Sequence, residues 1–245
     1  MPTTLRLSLA TCLLLGAAAL AGAADGVAAA APPLPGGGTL IMTLSGSFPL
    51  RPTSFLLQES GWSLFDACFR LRQALKAPEP RLVLDLTNGF SPGLAAAEEL
   101  AVVLRARPPG HTVACLLDNT SDSAFVVAAA CDEVVMAEAG ILMVDGLALS
   151  SDYYGEALGR VGVRFHAVTS GEAKTAPEPL TRSAPSPAAI IESQRLLDGL
   201  DAVVVADSLR HGFDAAALQA VRAQSPQTAA IASAGKLVDR AVEPG

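Results

Sequence analysis

Aromatic rings and positive charge are what this chain has least of. Aromatics make up 4 % of its 245 residues, with one Trp and two Tyr. A core poor in rings must be filled by Ala, Val, Leu and Ile, which suits closely packed α/β layers. Lys and Arg total 17 against 24 Asp and Glu, a formal net charge of −7. No basic patch is visible along the chain, which argues against nucleic acid as a partner. Cysteine is sparse, and no Cys-x-x-Cys or Cys/His spacing of a metal site occurs. His111, His166 and His211 stand isolated. No glycine-rich loop leads into a helix as a phosphate cradle would, so no nucleotide cofactor is expected. The sequence therefore calls for no cofactor and no metal.

The N-terminus carries a different composition. Arg6 precedes an apolar run, Leu7–Leu20, followed by the small residues Ala21-Gly22-Ala23. That order is the layout of a signal peptide, here residues 1–31, with a second cleavage choice near Ala28–Ala31. The run is short and weakly hydrophobic for a span of roughly 20 residues, so export outranks a retained anchor. Cys12 has no lipobox context. Residues 32–38, rich in Pro and Gly, form a linker, and residues 39–245 form the domain. The expected location is the periplasm or cell envelope. Without Cys12, the odd set Cys68, Cys115 and Cys131 reads as buried free thiols rather than a disulfide framework.

Hydrophobic periodicity then gives alternating elements. Thr39–Leu44 reads as a strand and Ser47–Ser60 as a loop. Trp62–Leu75 is a helix, stopped by Pro78 and Pro80. Arg81–Leu86 is a short apolar strand, as a buried parallel strand should be. A helix follows over Leu94–Arg107, then a strand over Val113–Leu117 and a small-residue helix over Ser121–Cys131. Glu133–Met136 and Ile141–Val144 are two further strands. Ser151–Val161 is expected as a helix with Tyr153, Tyr154, Leu158 and Val161 on its apolar side. Val163–Thr169 is expected as a strand. One long helix covers Ala188–Arg210, and Phe213–Ala223 and Thr228–Ala234 are helical pieces. Strands alternating with helices imply βαβ units and a mainly parallel sheet.

Lys174 follows the turn at Ser170–Gly171, in a small-residue loop punctuated by Pro177, Pro179, Pro185 and Pro187. Lys76 and Lys236 are the other lysines. A loop lysine is most often simply solvated. A lysine against apolar surface instead loses charge stabilisation and becomes a base. The surrounding wording favours the second reading. Gly162, Val163, Val168, Ser170, Gly171, Lys174, Thr175, Ala176, Glu178, Pro179, Thr181, Arg182, Ser186 and Pro187 resemble the segment around the base lysine of bacterial signal peptide peptidases. These are Ser/Lys peptidases of the Clp protease/crotonase superfamily. Ala232–Asp239 also resembles that family's closing phrase. The resemblance spans about Thr39–Asp239 and implies an α/β crotonase/Clp-type spiral of βαβ units with a mainly parallel sheet.

The resemblance implies a serine peptidase in which Lys174 is the base. Its serine would open the helix after a strand, where this chain reads Asn119-Thr120-Ser121-Asp122-Ser123-Ala124-Phe125. Counting back from Ala128–Val134 puts Asp122 in the serine column, and a slip of one residue puts Ser121 or Ser123 there. Ser121 also reads as an N-cap, and Asp122 as a complement to the helix dipole. The family's oxyanion turn is kept in part as Ser91-Pro92-Gly93-Leu94, with the Gly93 amide as donor. This pattern resembles the lysine-bearing N-terminal half of the tandem signal peptide peptidases, which has lost its serine. It implies peptides or membrane-derived signal peptides as substrates. The dyad would be completed within a homo-oligomer or by a serine-bearing homologue. A pseudo-peptidase that binds without hydrolysis is the alternative, and an acyl-thioester crotonase ranks below both because export separates it from coenzyme A.

Overall fold

The computed structural model describes residues 38–50, 61–171, 174–209 and 215–243. The expected signal peptide, all of the linker except its last residue, and most of the Ser47–Ser60 loop lie outside the described residues. The first element is β1 (Thr39–Thr43). Next comes α1 (Leu64–Ala74), whose N-cap Ser63 and third residue Asp66 form a reciprocal capping box. β2 (Arg81–Asp85) follows and then α2 (Leu94–Arg105), which starts at Gly93. β3 (Thr112–Ser121) runs into α3 (Asp122–Ala128), and β4 (Glu133–Met143) closes this part.

β1 to β4 lie side by side in sequence order, each parallel to the next. Arg81–Asp85 and Thr112–Leu116 are direct neighbours, as expected of consecutive βαβ strands. The helices between them cover the sheet, with α1 against α2 and α2 against α3. Leu71, Leu84, Leu100, Leu104, Leu117, Phe125 and Met136 are fully buried between these layers. Alanines at Ala67, Ala97, Ala101, Ala124 and Ala128 let the layers approach closely, which replaces ring packing by backbone proximity.

β3 is longer than expected because pairing with β4 continues past an irregularity between Leu117 and Asn119. Asn119, Thr120 and Ser121 then pair with Ile141, Leu142 and Met143. The same continuation fuses the two expected strands, Glu133–Met136 and Ile141–Val144, into one. Gly140 permits this, since a Cβ there would collide with the Asp118 carbonyl. Ser121 thus ends a strand, and the helix begins one residue later than the Ser121–Cys131 reading.

The segment after β4 departs most from expectation. The Ser151–Val161 helix is reduced to α4 (Gly155–Arg160), and none of its residues is buried. Tyr154 and Val161 are exposed instead of packing inward. Val163–Thr169 has no ladder partner among the described residues, and each of its residues is exposed. The β-rich pattern is real, but none of the described strands pairs with it. A single turn, α5 (Glu178–Thr181), packs on α4 through bonds from the Tyr154 and Gly155 amides to the Pro179 and Arg182 carbonyls. Residues 151–171 and 174–186 therefore form an arm held mainly by itself.

The chain returns through the long helix α6 (Pro187–Leu209) and α7 (Ala215–Arg222). β5 (Gln227–Thr228) pairs antiparallel with β4, and α8 (Ala229–Ala234) leads to β6 (Arg240–Val242), parallel to β4. The sheet is thus mainly parallel, with one short antiparallel strand, and the fold is of the α/β class. Among the described residues no helix is long and apolar enough to cross a membrane.

Candidate active site

The β3–α3 junction brings the two serines together. The Ser121 and Ser123 hydroxyls stand 3.2 Å apart. Ser121 caps α3, its Oγ accepting from the Ala124 amide at 3.5 Å. Ser123 Oγ donates to the Pro92 carbonyl at 2.8 Å. This contact seats Ser123 against the turn before α2, beside Gly93. Gly93 is exposed, and a Cβ there would meet nothing within 4 Å. Its N–H is unbonded among the described residues, as expected of a helix N-cap. Ser123 thus meets the Pro92–Gly93 peptide on its carbonyl side, and in a trans peptide the Gly93 N–H points to the opposite side.

Asp122 points elsewhere. It is buried, and its Oδ2 accepts from the Asp145 and Gly146 amides at 3.2 and 3.1 Å. Its Oδ1 faces Arg222 Nη2 at 3.5 Å. Arg222 also holds Asp201 with two bonds of 2.7 and 3.0 Å. Burial raises the Asp122 pKa, opposed by the Gly146 amide, Arg222 and the Asp145 amide. Asp122 therefore ties the serine-bearing turn to the end of β4, where the arm begins, and to α7. The side chain in the serine column is a structural tie rather than a hydroxyl offered to substrate.

Arg222 and Asp201 were not legible as site residues. Arg222 lies about a hundred positions from Asp122, and its helical neighbours give no hint of the pairing. Thr120, beside Ser121, is buried with an unpartnered hydroxyl among the described residues.

Lys174 is exposed and makes no hydrogen bond or ion pair with another described residue. Neighbouring Ala176 is also exposed, and Ala173 and Glu172 lie outside the described residues. The apolar surroundings expected around a base lysine are not supplied by its own described neighbours. Glu178 is turned away to the Ser186 amide, which it accepts at 2.9 Å. Ser186 bonding holds the Glu178 carboxyl below its ordinary pKa. The structure thus joins Ser121, Ser123 and Gly93, diverts Asp122, and leaves Lys174 on the arm. Among the described residues no cluster of His, Cys, Asp or Glu could hold a metal ion.

The sequence pattern of Peptidase family S49 matches residues 106–243. Protease 4 of Haemophilus influenzae is 30 % identical over 137 residues, which is 55 % of this chain and 22 % of that protein. The chain thus spans about a fifth of that relative's length. Among solved structures, a mutant of a membrane-bound stomatin-specific protease aligns with a TM-score of 0.48 and 10 % identity, over 74 % of this chain and 73 % of that one. An enoyl-CoA hydratase from Shewanella pealeana aligns with a TM-score of 0.47 and 14 % identity, over 86 % and 66 %.

Proposed function

The chain belongs to peptidase family S49, and from that premise we propose that it is an exported serine peptidase whose Ser/Lys dyad closes between copies. The observation that carries this reading is the seating of Ser123 on the Pro92 carbonyl, with Lys174 exposed on the arm. A lysine on such an arm can enter another subunit, where that subunit's surface would exclude water from its amine. Desolvation of this kind lowers a lysine's pKa toward neutrality. Neutral Lys174 Nζ then takes the proton of Ser123 Oγ, which attacks the scissile carbonyl. The proposed oxyanion donors are the Gly93 and Ala124 N–H groups, the Ala124 amide exchanging its bond to Ser121 Oγ for the substrate. The protonated lysine returns its proton to the leaving amine, and water hydrolyses the acyl-enzyme. Ser121, 3.2 Å away, is the alternative nucleophile. Substrates are peptides, including signal peptides left at the membrane, and the location is the periplasm or envelope.

A serine-directed fluorophosphonate tests this reading. Wild type labels, Ser123→Ala and Lys174→Ala lose labelling by about 1000-fold, and Lys236→Ala labels like wild type. Unlabelled wild type would support the second reading, a pseudo-peptidase that binds peptides or a serine-bearing homologue. One observation favours that alternative: Asp122, in the serine column, is buried in bonds to Arg222 and two amides.

A further inference from the structure

The backbone that follows Lys174 is fixed from its C-terminal side. The Glu178 amide donates to the carbonyl of Thr175, the residue next to Lys174, at 2.9 Å. The Leu180 amide and Thr181 Oγ1 both donate to the Pro177 carbonyl, at 3.1 and 3.0 Å. These bonds close a compact turn over Thr175–Thr181. A single helical turn has little stability of its own, so its orientation depends on what it is fastened to.

It is fastened on two sides. The Tyr154 and Gly155 amides donate to the Pro179 and Arg182 carbonyls at 2.7 and 3.0 Å, which joins it to α4. The Glu178 carboxylate reaches the other way, Oε2 accepting from the Ser186 amide at 2.9 Å. Ser186 in turn starts α6: its Oγ accepts from the Ala189 amide at 3.1 Å, and its carbonyl from the Ile190 amide at 3.0 Å. The helix so started is 23 residues long, packs against α3 and buries Val204 in the core. Glu178 therefore ties the turn beside Lys174 to an element rooted in the body. The contacts with α4 are backbone to backbone. The tie to α6 is made by a side chain, so one substitution removes it and leaves the main chain as it was.

On the reading that Lys174 is the base, we propose that Glu178 is its positioning residue, clamping the lysine turn to the start of α6 and so setting where Nζ is delivered. A lysine that serves another copy is aimed by the element that carries it. Displacing a catalytic group by about 1 Å costs about 100-fold in rate, while substrate binding by other residues is untouched. A carboxylate suits the task, because an ionised acceptor bonds an amide more strongly than a neutral one. Gln at this position keeps an acceptor oxygen for the Ser186 amide, and Ala keeps none.

The test compares peptide hydrolysis by the full chain in wild type, Glu178→Ala and Glu178→Gln. In Glu178→Ala, kcat should fall about 100-fold with KM unchanged. Glu178→Gln should stay within about tenfold of wild type. Hydrogen exchange over residues 174–186, followed by mass spectrometry on the same proteins, should be faster in Glu178→Ala and close to wild type in Glu178→Gln. An undiminished kcat in Glu178→Ala would overturn the proposal, as would a Gln variant as impaired as the Ala variant. A wild type that hydrolyses no peptide would remove the reading on which the proposal rests. Exchange tests the clamp separately, and unchanged exchange in Glu178→Ala overturns it whether or not the chain is active.

Discussion

Arg222 is the residue on which the serine turn depends most. Its guanidinium is buried between Asp122 and Asp201, so removing it leaves two carboxylates without their cation. Breaking a buried pair in this way costs about 3–5 kcal/mol, whereas an exposed pair such as Arg160–Glu156 is worth about 0.3–0.5 kcal/mol. Arg222→Ala should therefore lower the urea midpoint strongly, and Arg160→Ala should leave it nearly unchanged. Asp122 carries a pH signature. Burial raises its pKa, so the folded chain holds a proton that the unfolded chain releases between the two pKa values. Its contribution to stability is fullest below the ordinary carboxylate pKa and declines as pH rises through the folded value. Asp122→Asn stays neutral throughout. Its urea midpoint, relative to wild type, should rise as pH climbs above the ordinary carboxylate pKa. A relative midpoint that falls over that range would mean that Arg222 and the two amides outweigh burial.

At the scale of elements, α6 and the arm carry many of the exposed apolar side chains among the described residues. α6 buries Ala189 and Val204 yet exposes Ile190, Ile191, Leu196 and Leu200. The arm exposes Val161, Val163, Phe165 and Val168. In the proposed assembly, these exposed apolar residues form the surface through which copies associate. Ile191→Lys with Leu196→Lys should shift the light-scattering mass toward the monomer while leaving the far-UV circular dichroism unchanged. A mass identical to wild type would remove α6 from the interface. The same contrast explains what the sequence made legible. Arg81–Leu86 and Val113–Leu117 could be read because a buried strand must be continuously apolar, and both lie in the middle of the sheet. Val163–Thr169 has the same β-rich pattern without a partner among the described residues. Pattern reports an appetite for pairing, and only the neighbours decide whether it is met. The β3 extension escaped the reading because Asp118 and Asn119 look like a turn, and the Gly140 approach that carries the strand past them is visible only in three dimensions.

For the whole molecule, the serine turn belongs to the packed body and the lysine to the arm. The wording around Lys174 was legible because the resemblance rests on many matched positions. The nucleophile was not, because Ser121, Asp122 and Ser123 are all good residues for a helix start. Geometry separates them by partner: the Ala124 amide for Ser121, Arg222 for Asp122, and the Pro92 carbonyl for Ser123. In the proposed mechanism one copy's Lys174 serves another copy's serine, and subunit complementation is the decisive check. Lys174→Ala protein and the Ser121→Ala, Ser123→Ala double variant, each inactive alone, are dissociated, mixed and reassembled. Peptide hydrolysis is then followed, with mixed oligomers verified by native mass spectrometry. Activity should return, to about a quarter of wild type for random pairing of one donor and one acceptor across each interface. Mixed oligomers that remain as inactive as their parents, beside an active wild type, would contradict it.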